Sequence, residues 1–362
     1  MIKFKETVSK TKNVILAFCY MLFASGCGGS DDNKKDYWLV QLVTEGMYVL
    51  CQGNKDLNAK GCIVYVNAKD WSVKRFSLSF KQPRDIVVLK DYLCINYPDD
   101  NKIEIIDRQS FQSVNIIDSE SLWGEKGIGP RRILNANQSI YVSFDAGYVG
   151  KINEKTFEAE GIEQAGSFPE GMAFRNGLIV ANSDRGRGHA SIGYINMLSF
   201  SALKEMTSDL LICPTDIFMI GDGEYYLDKG TVDKDGNQVQ AGIRTSRQED
   251  LVNIIDATLC AFYGRRLFVI NAPKTVPETP VTFSYYDTDT NQSGTFAANG
   301  LEIPSAMGVD QINQQVYVAC NRKDGHSGYV NIYTLDGQLV RRVETEANPI
   351  AFGINYESEI VE

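Results

Sequence analysis

The sequence predicts an all-β fold, a seven-bladed β-propeller in which the N- and C-terminal strands pair to close one blade. Three observations support it: a repeated phrase, short strands with alternating apolar residues, and chain ends that complement each other. The 362-residue chain is 43% hydrophobic, which is enough for a sizeable core. Its net charge is −10, and no face gathers Lys and Arg, so we expect no nucleic-acid partner.

The repeat is clearest in residues 129–153, GPRRILNANQSIYVSFDAGYVGKIN. This segment has the pattern of a strand, a tight polar turn, a second strand, a small loop and a third strand. Seven such inner strands begin 39 to 47 residues apart, and a four-stranded propeller blade takes about 40–50 residues. We predict that they start at Pro83, Pro130, Pro169, Pro214, Ala257, Pro304 and Pro349.

Three further strands complete most blades. Asp, Asn and Gly follow most inner strands, as in tight hairpins, and third strands alternate with period two. No helix is expected, and residues 198–206 are interpreted as the fourth strand of their blade. Second strands begin near Tyr92, Tyr141, Leu178, Tyr225, Leu267 and Val316, and third strands near Lys102, Tyr148, Ser191, Ala241, Thr282 and Tyr329.

The two chain ends each supply part of one blade. Pro349–Tyr356 is an inner strand with nothing after it, whereas the segments from Met47, Cys62 and Val73 supply three strands with no inner strand before them. Pairing the two ends closes the ring and leaves no edge at the seam. An open β-solenoid or two sandwiches would leave both observations unexplained.

The N-terminal residues predict export and attachment to a membrane. Residues 1–26 have a basic start and a short apolar stretch, as in a signal peptide. Residues 24–27, ASGC, resemble a bacterial lipobox, so we predict lipidation of Cys27; an ordinary cleaved signal is the alternative. Residues 27–44 are then a lipidated tether and residues 45–362 the propeller. A lipid anchor of several acyl chains holds a protein durably to a membrane.

Six cysteines remain beyond the anchor. Most lie in or beside apolar strands and are expected to be buried free thiols. Cys51 and Cys62 flank one loop and could face each other across a hairpin. Export permits a disulfide between them but does not require one.

One face of the propeller carries the variable loops. Loops between strands two and three, and loops that lead into strand one, emerge together there, which is a common arrangement for a ligand platform. Aromatic rings, amides and guanidiniums suit a large ligand with polar decoration. A solvated loop residue or an ion pair that plugs the funnel is the alternative for each position. We predict funnel contacts at Arg84, Arg131, Arg132, Glu170 and Asp216, and rim contacts at Tyr97, Trp123, Phe144, Tyr148, Asn182, Arg185 and Asn321.

Signals of catalysis are weak. The sequence contains no zinc-protease, nucleophile-elbow or phosphate-loop motif. His189 and His326 fall in loops three predicted blades apart, and the Asp-rich loops at 233–237 and 287–291 lack the Gly and Glu of a calcium loop. We therefore expect no metal, no cofactor and no enzymatic activity.

The chain resembles the YncE-like seven-bladed propellers over residues 45–356. The residues that carry the resemblance are Gly129–Arg131, Asp145–Asn153, Pro169–Ala173 and Val180–Ser183. Together with the lipobox and Asp31–Asp32, it is similar to the Bacteroidetes surface lipoproteins of the BtuG type. The resemblance implies a lipid-anchored protein of the outer membrane, facing the cell exterior. It implies capture of cobalamin-type corrinoids and their transfer to a TonB-dependent transporter.

Two other functions remain open from the sequence. One is a scaffold lipoprotein of a glycan- or haem-uptake complex, in which Trp123 and the loop 228–240 contact protein. The other is a propeller enzyme such as a lactonase, against which the shortage of carboxylate clusters and histidines argues.

Overall fold

The computed structural model describes residues 39–56, 60–247, 250–273, 281–296 and 301–361. The predicted signal peptide (1–26), the lipidation site Cys27 and most of the predicted tether lie outside these ranges. The first strand begins at Leu39, so residues 39–44 of that tether are extended. None of the helices in the described ranges has the length and apolar character to span a membrane.

The chain forms two compact units. Residues 44–355 form the larger unit, which contains the residues that line both cavities described below. The described part of the smaller unit comprises residues 39–43 and 356–361, at the start of the first strand and the end of the last one.

Seven four-stranded antiparallel sheets in the described ranges form a seven-bladed β-propeller, which confirms the predicted fold. Blade 1 contains β1 (Leu39–Cys51), β2 (Cys62–Asn67), β3 (Val73–Ser77) and, as its inner strand, the last strand of the chain, β30 (Pro349–Val361). Blade 2 contains β4 (Asp85–Val88), β5 (Tyr92–Tyr97), β6 (Lys102–Asp107) and β7 (Ser113–Asp118). Blade 3 contains β8 (Pro130–Ala136), β9 (Ser139–Phe144), β10 (Tyr148–Asn153) and β11 (Ala159–Gln164).

The remaining blades follow the same order. Blade 4 contains β12 (Pro169–Phe174), β13 (Leu178–Asn182), β14 (Ser191–Asn196) and β15 (Ser201–Met206). Blade 5 contains β16 (Pro214–Ile220), β17 (Gly223–Asp228), β20 (Gly242–Arg247) and β21 (Asp250–Ile255), with a small hairpin of β18 (Thr231–Val232) and β19 (Gln238–Val239) in its loop. Blade 6 contains β22 (Leu259–Tyr263), β23 (Arg266–Asn271), β24 (Thr282–Asp287) and β25 (Gln292–Thr295). Blade 7 contains β26 (Ile303–Asp310), β27 (Gln315–Asn321), β28 (Ser327–Thr334) and β29 (Leu339–Glu346).

Blade 1 is closed as predicted, with the sheet order β3-β2-β1-β30. Residues 198–206 contain the outer strand β15 of blade 4, which also confirms its interpretation. Closure leaves the ring without an open sheet edge at its seam, where chain-to-chain pairing would otherwise begin.

The second strand lies deepest in the core in most blades, including blades 2, 3, 4 and 6. All six residues of β9 are buried, because both faces of the strand are covered by neighbouring blades. The cluster between blades 2 and 3 joins Cys94 and Ile103 to Ile133 and Val142. A strand covered on both faces need not alternate between apolar and polar residues, so a residue at the end of such a strand can be buried even where a rim position is predicted.

Within the described residues, one short α-helix corrects the expectation of none. Helix α1 (Ser119–Trp123) begins after Asp118, whose carboxylate accepts a hydrogen bond from the Ser121 amide. The hydroxyl of Ser119 donates to the Gly127 carbonyl at 2.6 Å and ties the loop back on itself. Five residues are too few to show helical periodicity, so the sequence pattern did not reveal this turn.

Candidate functional site

Bulges at the start of four inner strands position the funnel residues. The register of β8 on β9 shifts between Pro130 and Ile133, and similar shifts follow the opening prolines of β12, β16 and β26. A bulge inserts an unpaired residue and redirects its side chain. The side chains in or beside these bulges include the predicted funnel residues Arg131, Arg132, Glu170 and Asp216.

Arg132 is the centre of one ion-pair group. Its Nη2 lies 3.1 Å from Asp216 Oδ2, and its Nη1 lies 3.7 Å from Asp85 Oδ1. Asp85 also accepts the Ile133 amide at 2.9 Å. Burial raises the pKa of Asp85, an effect that Arg132 partly opposes, while Asp216 raises the pKa of Arg132. The predicted funnel residues Arg132 and Asp216 are therefore in direct contact.

A second group lies at the funnel mouth. Asp145 pairs with both Arg131 and Arg185, each at 3.2 Å, and Arg131 also pairs with Glu170. The ring of Phe168 contacts both guanidiniums, with centroid distances of 4.4 Å to Arg131 and 3.7 Å to Arg185. Burial raises the pKa of Asp145 despite its two cations. The structure thus brings Arg131, Glu170 and Arg185 together.

The central funnel encloses a cavity of about 340 Å³. Three cations (Arg84, Arg132 and Lys229) and two carboxylates (Asp85 and Asp216) line one part of it. Burial lowers the pKa of Lys229. Burial and the positive charge of Arg132 both lower the pKa of Arg84. The funnel is thus rich in cations, although the protein as a whole is acidic.

A larger groove of about 1060 Å³ opens among the loops of blades 3 and 4 and the loop that leads into blade 5. Tyr148, one of the predicted rim residues, lines it together with His189. Gly186 and Gly188 on its wall have φ angles of 71° and 106°, and a Cβ added at Gly188 would meet no heavy atom within 4 Å. A ligand can therefore approach the backbone closely there. The remaining lining residues include Ala146, Gln164, Ser167, Glu205, Thr207, Ser208, Asp209 and Leu211.

Three predicted rim side chains lie in the core and not on the rim. Tyr97 is 0% exposed and donates to Glu104 at 2.6 Å, and burial raises its pKa strongly. Phe144 is 0% exposed and packs among apolar side chains of blades 2 and 3. Asn182 is 0% exposed, and its Nδ2 donates to the Ala165 carbonyl at 2.8 Å. Each ends a second strand that neighbouring blades cover on both faces.

The other two rim predictions have structural partners. Trp123 on α1 is half-buried and meets the ring of Phe144 edge-on, at 5.4 Å between centroids. Asn321 is partly buried and donates to Asn348 Oδ1 at 3.0 Å. Neither lines the groove or the central cavity.

Several residues of the two cavities and of the Arg131–Arg185 group were not predicted. Lys229 follows a second strand in a long loop and has no local signal. Phe168 was missed because only the fold brings it against two arginines. The groove draws on loops between strand four and the next strand one, residues 164–167 and 207–212, which have no recognisable motif.

In the described part of the chain, His, Cys, Asp and Glu side chains form no cluster of three or more that could hold an ion. The Asp233 carboxylate instead accepts the amides of Asp235 and Asn237, as in an Asp-closed turn. His189 and His326 lie in blades 4 and 7.

Solved structures share this fold. One is a "putative 6-phosphogluconolactonase" from Bacteroides uniformis, with a TM-score of 0.62 and 12% identity over 86% of this chain and 100% of that chain. A protein from Lactobacillus plantarum gives a TM-score of 0.60 and 13% identity over 86% and 100%. A quinonprotein alcohol dehydrogenase-like protein from Bacteroides thetaiotaomicron gives 0.59 and 12% over 85% and 78%. Identities this low show the fold alone.

Sequence comparisons add no family assignment. No protein-family model matches the chain. No curated protein matches it significantly.

Proposed function

We propose that this protein is a surface lipoprotein that captures a bulky small molecule, a cobalamin-type corrinoid, and passes it to a TonB-dependent outer-membrane transporter. The observation that carries the proposal is the groove of about 1060 Å³ on the loop-bearing face. Small-molecule sites typically measure about 300–1,000 Å³, so this groove suits a ligand at the large end of that range.

The lining of the groove fits the chemistry of a corrinoid. Such a ligand is a broad macrocycle with many amide side chains, and it needs both open surface and dispersed hydrogen-bonding groups. Gly186 and Gly188 have no side chains that would obstruct a ligand at the wall of the groove. Polar side chains are supplied by Gln164, Ser167 and Thr207. The groove lies among loops that the propeller strands hold in place, which lowers the ordering cost of binding.

The address supports the same proposal. The lipobox-like residues 24–27, the polar linker and the acidic pair Asp31–Asp32 resemble those of lipid-anchored, exported proteins. Their likeness to the BtuG type is the reason for naming the corrinoid and the transporter. Co-purification of the native protein with a TonB-dependent transporter from a detergent extract tests the partnership, and its absence from repeated extracts counts against it.

Calorimetric titration of the purified full chain with cyanocobalamin tests the ligand. We expect saturable binding with one site per chain at micromolar ligand or below. If no heat of binding is measured at micromolar cyanocobalamin, the corrinoid assignment is wrong, although the propeller fold is unaffected by that result. Haem and oligosaccharides, titrated in parallel, represent the other uptake systems, and tighter binding of either would replace the corrinoid.

The proposed function is ligand binding without catalysis. One similar structure bears a lactonase name, so a screen of sugar lactones at several pH values is the relevant check. We expect no turnover above the rate in buffer; turnover that disappears when Arg131 or Glu170 is replaced would show an active site at the funnel mouth.

A further inference from the structure

The central cavity has two chemically different walls. Its cations come from blades 2, 3 and 5, and its apolar side chains come from blades 5, 6, 7 and 1. The cavity shares no lining residue with the groove. The apolar wall contains Phe218, Leu227, Leu259, Met307, Phe352 and Ile354.

The carboxylates in the cavity do not match its cations. Arg132 pairs with both Asp85 and Asp216. The carboxylate nearest to Arg84 is Glu170, at 4.0 Å, and Glu170 already receives a hydrogen bond from Arg131.

Lys229 and Arg84 are thus left with unused donors. Among the residues that the structure describes, Lys229 Nζ makes no hydrogen bond and no ion pair. Arg84 Nε is buried and has no hydrogen-bond partner in the described part of the chain. Both cations are only partly exposed, and a charge that is partly withdrawn from water is more stable when it is paired and hydrogen-bonded. A cavity with two under-paired cations therefore favours an anion between them.

We propose that the central cavity binds a small organic anion, with its carboxylate or phosphate group held by Arg84 and Lys229 and its apolar body packed on the wall of Phe218, Leu259 and Phe352. The cavity of about 340 Å³ admits an aromatic or short-chain acid and is too small for a macrocycle. An inorganic anion would satisfy the cations but would leave the apolar wall uncovered, so the organic acid binds more tightly. This site is separate from the groove and does not depend on the function proposed for it.

The test is calorimetry of the purified full chain with benzoate and octanoate, with benzamide as the uncharged analogue and inorganic phosphate as the head group alone. We expect saturable binding of at least one of the two acids, and at least tenfold weaker binding of benzamide and phosphate. Failure of both acids to bind would overturn the proposal, as would equal affinity for benzoate and benzamide.

Matched variants locate the site. Lys229→Gln and Arg84→Gln should each weaken acid binding at least tenfold, while Lys155→Gln, which removes an exposed lysine from the β10–β11 turn, should leave it unchanged. Arg84 is 41% exposed, so Arg84→Gln carries the test if Lys229→Gln does not fold. Unchanged affinity in the folded variants would contradict the proposal.

Two further readouts separate binding from a structural role. Lys229→Met should raise the Tm without ligand, because it removes an under-paired cation, and should abolish the shift that the acid produces in the natural protein. A lower Tm with an intact acid-induced shift would show that Lys229 is structural. Cyanocobalamin affinity should not change at saturating benzoate, so the two proposals can fail independently.

Discussion

Arg132 and Asp216 form an ion pair of 3.1 Å between the inner strands of blades 3 and 5. The inner strand of blade 4 lies between these two strands, contacting both. The pair therefore links blades that are not neighbours, inside the funnel.

Replacing Asp216 by Asn should destabilise the propeller. Among the described residues, Arg132 would keep the longer ion pair with Asp85, at 3.7 Å, and the more distant charge of Glu170. Both side chains of the pair are partly exposed, so we expect a loss of about 1–3 kcal/mol in the free energy of unfolding, below that of a fully buried pair. Denaturant unfolding measures it. The control is Asp289→Asn, whose carboxylate is 65% exposed and pairs with Arg265 at 3.7 Å; it should cost less than about 0.5 kcal/mol. Equal losses would contradict the structural role of the funnel pair.

Gly129→Ala should be costly for two separable reasons. Gly129 has a φ of 68°, and a Cβ there would approach the Cγ of Asp145 to 2.7 Å. Gly124 has a similar φ of 63° but no heavy atom within 4 Å of an added Cβ. With its ψ of −147°, Gly124 lies in a region that is essentially restricted to glycine, so Gly124→Ala should show the backbone cost alone, about 1–3 kcal/mol. Gly129→Ala should lose more in thermal unfolding, because Asp145 must move away from Arg131 and Arg185. If the two variants lose equally, the contact with Asp145 contributes nothing.

Trp123→Ala should affect stability and leave ligand affinity unchanged. The indole packs on Phe144 and covers Gly150, where an added Cβ would lie 2.8 Å from its ring. Because the indole is only half-buried, we expect a loss of about 2–4 kcal/mol, at or below the range for buried aromatic residues. Leu122→Ala, at a side chain that is 43% exposed, is the matched control and should lose less than about 1 kcal/mol. A large loss of ligand affinity with normal stability would show that Trp123 contacts the ligand, as the rim prediction stated.

Cys62 should be the most reactive thiol of the described chain. It lies directly opposite Cys51 in the β1–β2 pairing, and both are free thiols. The hydrogen bond from Cys51 lowers the pKa of Cys62, while burial raises the pKa of Cys213 to about 11 and of Cys320 to about 12. The reactive form is the thiolate, so the alkylation rate of Cys62 should reach half its maximum below the ordinary cysteine pKa, about 8.5.

Mass spectrometry after iodoacetamide treatment over a pH series measures these rates. Cys51→Ala removes the hydrogen bond and should move the Cys62 profile to higher pH. Faster labelling of Cys213 or Cys320, or a profile that Cys51→Ala does not move, would contradict the assignment.

The repeat made the fold predictable, because a propeller repeats its hairpin chemistry in every blade. The prolines at 130, 169, 214 and 349 start inner strands as expected. Four of the five predicted funnel residues could be identified in the same way, since Arg131, Arg132, Glu170 and Asp216 each follow such a proline and lie in or beside a bulge.

The rim was harder to predict. Three of the predicted rim residues end strands whose two faces are both covered by neighbouring blades: Tyr97, Phe144 and Asn182. Whether a residue is polar or aromatic does not show whether its strand is covered in this way. Arg131 and Arg185 were identified, but their shared partner Asp145 and the ring of Phe168 come from different parts of the sequence. Lys229 is recognisable only from the cavity that blades 1 and 5–7 complete around it.

Ligand occupancy of the groove is measured most directly by cyanocobalamin affinity in a variant whose groove is filled by a larger side chain. Thr207 is exposed and lines the groove, so Thr207→Trp places a ring inside it. Lys155→Trp adds the same ring to an exposed turn outside both cavities. We expect at least tenfold weaker binding for Thr207→Trp and unchanged binding for Lys155→Trp, with normal folding of both. Equal affinity of the two variants, or no binding by the natural protein, would contradict this expectation.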